Sequence, residues 1–487
     1  METNEIDLCS LEQELTQKAS ELDAQHTMRE QQLVALTLSR ITEGVVSKET
    51  DIDSLMQATK GKCQTLLKEI VMREIIRSAD SHLWCQEYIQ RSGSDQRVYV
   101  FTGSHWEPIE PQQWMDFVGD CAKRCGLPET LIMNHNFMNQ LYEGTAFQLA
   151  KYRRQTIPDG EVWLNVRNGT LVIKSDGSVT PHEHTKDDLF FYCLGYCYDP
   201  HAECPKWHAF LDRVLPDQDA QQLLAEYIGY CLMSDHTMEK MLLLYGEGLN
   251  GKSVTLEIVE ALLGSMNVSY MSLADLTNDD VKRAAIVGKM LNISHESGKD
   301  VNPNVLKQLT SGERVTIRRL YHNPDETNNY GKLIAAFNVL PRAENTFGFF
   351  RRLLFLPYLV TIPKEEIDRQ LAVKLKEELP GILNWVFEAL PGLMSRREFS
   401  PCESSDKALE QYRLQSDNVR LFLNEACVVS EFTTLASELF TAYRTFCINS
   451  SLKPVGKNRF YERLEKLGHE RVMYASSLYF KLKLTEQ

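Results

Sequence analysis

Eight consecutive residues, Gly246, Glu247, Gly248, Leu249, Asn250, Gly251, Lys252 and Ser253, fit the pattern G-x-x-x-x-G-K-S. The spacing suits phosphate. Glycines let backbone N–H groups curl around an anion, and a helix beginning at the lysine adds the positive end of its dipole. Lys252 is placed to reach the β- and γ-phosphates, Ser253 to ligate Mg2+, and Val254 to extend the nucleotide-contacting set. An apolar run from Met241 to Tyr245 precedes the loop and a helical pattern follows it, which is the context such a loop requires. ATP and Mg2+ are therefore the expected cofactors.

Phosphate chemistry also needs a carboxylate near the metal. The stretch Lys289 to Glu296 is a short apolar strand ending in one, and Glu296 could hold Mg2+ with Ser253 and orient the attacking water. Standing alone, Glu296 would read as a surface residue at a strand end. A third strand, Lys332 to Phe337, ends at Asn338, whose amide can donate and accept around a γ-phosphate. Arg351 and Arg352 lie in apolar sequence and offer a fixed fork of donors, in cis or from a neighbouring subunit. The competing reading for the pair is an internal salt bridge to an acidic partner.

Net charge is −14 over 487 residues, which argues against a protein whose whole surface coats nucleic acid. Residues 301–358 are the local exception, with eight basic residues against four acidic ones. Arg314, Arg318, Arg319, Tyr321 and His322 combine phosphate contact with base stacking, against the plainer reading of a solvent-facing hairpin. DNA, as a single strand or a fork, is the expected partner.

These residues must be positioned by several elements. Ser10 and Gln13 resemble a capping box, and Leu11, Leu15, Leu22 and Met28 follow at helical spacing, so residues 1–80 read as helical. Residues 81–205 read as an α+β domain. Val98 to Trp106 turns at Gly103, and Asn168-Gly169 and Asp176-Gly177 mark hairpins. Residues 206–395 carry the phosphate loop and its strands, and 396–410 reads as a polar linker. Helices and a closing strand pair fill the rest, to 487. The expected class is α/β, with a P-loop core and flanking domains.

Hydrophobic residues are 43% and charged residues 25%, ordinary for a globular chain, and no apolar run approaches a membrane span. The start, Met1 to Asp7, is acidic and polar, unlike a secretory leader, and twelve scattered cysteines suit reduced thiols; a cytoplasmic location is expected. Cys121 and Cys125, and Cys193, Cys197 and Cys204 with nearby His182, His184 and His201, lack the paired spacing of a zinc site.

The order of glycine loop, acidic strand, basic hairpin, Asn-ended strand and arginine pair resembles the superfamily 3 helicases, and more narrowly the phage, plasmid and poxvirus primase–helicase family. The stretches Asn168 to Leu171, Tyr198 to Trp207, Gly246 to Ser253, Lys307 to Gly312 and Phe337 to Arg342 carry the likeness. Leu435 to Tyr443 and Lys457 to Gly468 are similar to winged-helix segments. The resemblance spans about residues 95–487 and implies an AAA+-like P-loop ATPase core with a C-terminal winged-helix-like domain. It further implies an ATP-driven DNA helicase of a phage, plasmid or mobile element, working in replication as a ring, usually a homo-hexamer.

On this resemblance Lys252, Ser253, Glu296 and Asn338 match the Walker A, Walker B and sensor positions. Arg352 matches best the finger that reaches a neighbour's site, with Arg351 second. Two positions depart from the pattern. His295 stands where an acidic residue is common, and the hairpin tip lacks an evident lysine. No primase half is recognisable, so a separate primase or replication protein is an expected partner. The alternative is an ATP-dependent DNA-binding initiator or regulatory switch that does not unwind.

Overall fold

The computed structural model describes residues 31–45, 52, 56, 58, 63–86, 97–151, 153, 155–295, 301–319, 323–338, 347–450, 452, 454–474 and 476–485. The helix expected around Ser10 and Leu22 lies outside them. Residues 31–44 are helical, and the helix Gln64–Ala79 follows, burying Leu67, Ile70, Val71 and Ile75 at the i, i+3, i+4, i+8 spacing of one helical face. They share a core with β1 (Leu83–Gln86), β2 (Arg97–Phe101) and the helices Pro111–Arg124 and His135–Leu149. With β3 (Trp106–Pro108) the strands form an antiparallel sheet ordered β1-β2-β3. Cys121 and Cys125 are buried in this core. Desolvation pushes their thiols up to about 12 and about 11, the opposite of what a thiolate ligand requires.

A second antiparallel sheet comprises β4 (Glu161–Val166), β5 (Gly169–Lys174) and β6 (Val179–His182). Both expected hairpins are present. Because Val166 pairs with Gly169, the first turn sits at Arg167 and Asn168, one residue before the Asn-Gly dipeptide. Gly169 instead opens β5 with φ +147°, where a Cβ would come within 2.6 Å of the His182 carbonyl oxygen.

The central sheet is parallel and has five strands: β7 (Met241–Tyr245), β8 (Val268–Ser269), β9 (Leu291–Ser294), β12 (Lys332–Phe337) and β13 (Leu353–Pro357), in the order β13-β7-β12-β9-β8. Strands β7 and β12 are almost wholly buried, which explains why they read as continuous apolar runs without alternation. Between β9 and β12, the short strands β10 (Val315–Ile317) and β11 (Asp325–Thr327) pair antiparallel as the expected basic hairpin.

Packing divides the chain differently from the change of sequence pattern at 80 and 205. Most buried apolar residues from Val34 to Leu149 share one core, Trp84, Tyr99, Phe101 and Trp106 cluster instead with Leu189, and Val162, Leu164, Leu171 and Ile173 of β4 and β5 pack with Trp207, Tyr227 and the central sheet. Composition marks where helix gives way to strand, but a core forms wherever apolar faces meet.

The polar segment 396–410 is not an open linker. Residues Glu403–Gln415 form a helix whose Ser405 and Tyr412 are buried; Ser405 Oγ accepts from Phe355 N at 3.1 Å, and Tyr412 packs on Phe350 and Phe355. Just upstream, the buried Glu226 carboxylate holds the chain, accepting from Arg396 Nη2 at 2.6 Å, Ser400 N at 2.8 Å and Ser400 Oγ at 2.6 Å. The overlooked signal is Cys402, Ser405, Leu409 and Tyr412, one narrow helical face in a polar stretch.

The C-terminal region has its own core, centred on Phe422, Tyr443, Phe460 and Phe480. The helices Asn418–Ala426, Ala436–Asn449 and Lys457–Lys466 pack on β14 (Cys427–Leu435), β15 (Arg471–Tyr474) and β16 (Ser477–Leu484), ordered β14-β16-β15. The whole is a mixed α/β fold. No helix among the described residues is long and apolar enough to cross a membrane.

Candidate nucleotide site and basic hairpin

All five strands of the central sheet are parallel, so their carboxyl ends lie on one edge, where open α/β sheets place ligands. Tyr245, the last residue of β7, is level with Phe337 of β12, and Ala335 is level with Ser294 of β9. The glycine loop leaves β7 at Gly246 and enters the helix Lys252–Leu263 at Lys252. Left-handed backbone at Gly248 (φ +106°), Leu249 (φ +47°) and Gly251 (φ +88°) closes the loop tightly. Gly251 is pressed against Phe210 and Val214, so the first helix of the 205–232 pair backs the loop.

Lys252 is 7% exposed, and its Nζ donates to Gly246 O at 2.5 Å, Asn250 Oδ1 at 3.1 Å and Asn338 Oδ1 at 3.1 Å. Residues 86 apart in sequence thereby meet at adjacent strand ends. Asn250 is the loop's buried brace: its Nδ2 donates to Tyr358 O at 3.1 Å, and Tyr358 OH donates to Thr255 Oγ1 at 3.1 Å on the following helix. Ile362 N donates to Leu249 O at 2.7 Å, which ties the chain beyond β13 to the loop. Glu247, Leu249 and Ser253 are exposed, with Gly248 and Val254 partly so.

The loop fits a phosphate group. Gly246 has no room for a side chain, since a Cβ would stand 2.1 Å from Asn250 Nδ2 and 2.2 Å from Tyr358 O. The lysine ammonium is held by three oxygens in a nearly dry place at the mouth of the loop. Gly246→Ala is expected to weaken nucleotide binding at least about tenfold by prising Asn250 off Tyr358; titration with a fluorescent ATP analogue would measure it.

Glu296 lies outside the described residues, although β9, which leads towards it, ends on this same edge at Ser294. Ser294 Oγ accepts from Leu273 N at 3.0 Å, and Asn292 Oδ1 accepts from Met271 N at 2.9 Å, so β9 is pinned on its outer side. His295, at the position often acidic in the resembled family, stacks on Tyr270 with ring planes 5° apart.

The hairpin lies towards the opposite edge. Arg314 and Arg318 are exposed. Arg318 N donates to Asp280 O at 3.0 Å, and its guanidinium is 3.5 Å from Asp280 Oδ1. Arg319 lines a cavity of about 70 Å³ with Asn323, Asp325 and Glu326. Tyr321 and His322 lie outside the described residues. The base of the hairpin is anchored to β12, because Tyr330 OH donates to Glu313 O at 2.5 Å. One buried strand thus runs from the hairpin to Asn338.

Arg351 and Arg352 precede β13, and both meet one carboxylate. Arg351 Nη2 is 2.7 Å and Arg352 Nη2 3.2 Å from Glu239 Oε2. Arg352 is further engaged through Ser311 Oγ and Gly348 O. Neither Glu239 nor Ser311 stands out in the sequence; their role comes from the pairing of β13 with β7.

Two stretches of the chain match known families. Residues 73–216 match the family described as "D5 N terminal like", and residues 244–352 match the "Family of unknown function (DUF5906)". The chain is 26% identical over 222 residues to the protein "Putative helicase L207/L206" of Acanthamoeba polyphaga mimivirus, a stretch covering 42% of this chain and 22% of that protein. It is 24% identical over 324 residues to "Putative primase C962R" of African swine fever virus, covering 59% of this chain and 33% of that protein. The chain thus spans a third or less of the length of these relatives. Among solved structures, the apo C-terminal region of NrS-1 aligns with a TM-score of 0.47 and 11% identity, covering 85% of this chain and 99% of that one. The chain therefore has one region similar to the D5 N-terminal-like family and one similar to the DUF5906 family, and it is similar over part of its length to viral proteins that bear the names putative helicase and putative primase.

Proposed function

We propose that this chain is an ATP-dependent DNA helicase of the superfamily 3 type, acting in replication as a ring of copies with Mg2+. The observation that carries the reading is the contact of Lys252 with Asn338 across β7 and β12. β12 lies between β7 and β9, so the Asn338 amide stands between the lysine and the strand leading to Glu296. That order supports an AAA+-like P-loop core. ATP supplies the phosphoanhydride bond and Mg2+ the charge neutralisation. In this reading Lys252 exchanges its loop oxygens for phosphate oxygens, Ser253 offers a hydroxyl to the metal, and Asn338 holds the γ-phosphate or the water. Glu296 orients that water. The hairpin, with Arg314 and Arg318 outward, contacts DNA phosphates, and β12 links it mechanically to Asn338. Priming falls to another protein or another region.

A non-unwinding initiator is the second reading. It draws on the helix–strand–helix–helix–strand–strand order of the C-terminal region, which resembles a winged helix, and on the exposed Lys457 and Arg459 of its third helix. Strand displacement on a forked DNA duplex with ATP separates the two. The motor reading expects unwinding by the wild type and none by Glu296→Gln. Duplex binding without unwinding by either protein would favour the switch.

A further inference from the structure

Strand geometry decides where the arginine pair can act. Met241 N, at the start of β7, donates to Arg352 O at 2.9 Å, and Leu353 is level with Met241. The glycine loop begins at the other end of β7, five residues and roughly 16 Å further along. That distance exceeds the reach of an arginine side chain, so neither guanidinium can serve the nucleotide site of its own chain.

The two arginines are also unequal. Arg352 is 12% exposed, and its Nε and Nη2 donate to Ser311 Oγ at 3.1 and 2.9 Å while its Nη1 donates to Gly348 O at 2.6 Å. It braces the end of the helix Pro303–Ser311 against β13. Arg351 is 48% exposed, and Glu239 is the side chain that orients it. Glu239 occupies a left-handed position, φ +50°, in the turn before β7, with its N–H donating to His236 O at 2.9 Å. A non-glycine residue there costs backbone energy and aims the carboxylate at the pair. Lys240 Nζ donates to Arg351 O at 2.6 Å and so ties the turn before β7 to the arginine pair's backbone.

We propose that Glu239 is a positioning residue, whose single carboxylate fixes Arg352 as a brace and presents Arg351 to the nucleotide site of a neighbouring copy. This rests on the nucleotide-site reading above and changes which arginine acts: the resemblance favours Arg352, whereas burial and bonding favour Arg351.

The test uses the full chain with forked DNA. Arg351→Ala should lose about a thousandfold in kcat with unchanged affinity for a fluorescent ATP analogue and unchanged Tm. Arg352→Ala should lower Tm. Glu239→Gln should lower kcat about tenfold without moving KM, because the amide keeps a contact but not the charge. In an equal mixture, Lys252→Ala copies supply an intact Arg351 and Arg351→Ala copies an intact loop. Activity should then recover to about a quarter of wild type for random head-to-tail assembly. No recovery in a mixture that co-assembles overturns the role of Arg351, and wild-type kcat in Glu239→Gln overturns the role of Glu239. Full hydrolysis by Lys252→Ala alone instead overturns the nucleotide-site reading beneath both.

Discussion

Replacing Lys252 by alanine is expected to lower ATP turnover by roughly a thousandfold, the scale on which removal of a preorganised charge-stabilising donor acts. The ammonium is nearly buried, so solvent screens it little, and its three oxygen contacts hold it at the strand edge before any substrate arrives. Lys252→Arg should not rescue the loss, because a planar guanidinium cannot replace a compact ammonium among Gly246 O, Asn250 Oδ1 and Asn338 Oδ1. The substitution also removes a donor from the buried Gly246 O and Asn250 Oδ1, at about 1–3 kcal/mol for a buried polar group. Steady-state hydrolysis should therefore be measured with Tm and nucleotide affinity, so that a dead site is told from a loosened one. Turnover near the wild-type rate in a folded variant would remove the nucleotide assignment.

The second large effect concerns Lys332, at the other end of β12. It is buried, its Nζ donates to Met233 O at 2.5 Å, and it lies 4.7 Å above the Tyr230 ring. Burial is the main cause that brings its pKa down from 10.5 to about 8, and nearby Cys231 and Asp235 offset only part of it. With the folded pKa below the unfolded one, the unfolded chain binds more protons between about pH 8 and pH 10.5, so stability rises with pH across that window. Below it both states are protonated and the full burial cost is felt. Lys332→Met removes this dependence. The stability of wild type relative to the variant should therefore rise by roughly 2–3 kcal/mol between about pH 7 and pH 10. Urea denaturation of both proteins across that range gives the difference directly, since the other lysines and tyrosines titrate alike in each. A flat difference would mean that Lys332 is hydrated.

Much of the candidate site was legible in one dimension because it rests on local rules. A glycine pattern between an apolar strand and a helix needs no tertiary information, and neither do two further apolar strands ending in polar residues or hairpins marked by Asn-Gly and Asp-Gly. The arginine pair also stood out as charge embedded in apolar sequence. Where local rules were followed too literally, small displacements resulted. The Asn168-Gly169 turn is set one residue earlier by cross-strand register, and the 396–410 segment was read from its exposed polar face while its narrow buried face packs on β13.

By itself, then, the sequence determined the elements and the chemical types at their ends, since backbone conformation and amphipathic period are encoded over a few residues. Tertiary structure decided the meetings. That Asn338 touches Lys252, that Glu226 pins Ser400, and that Glu239 divides two adjacent arginines into a buried brace and an exposed guanidinium all depend on strand order and register. Those are fixed by which apolar faces bury each other across tens to hundreds of residues, a balance that no short window of sequence contains.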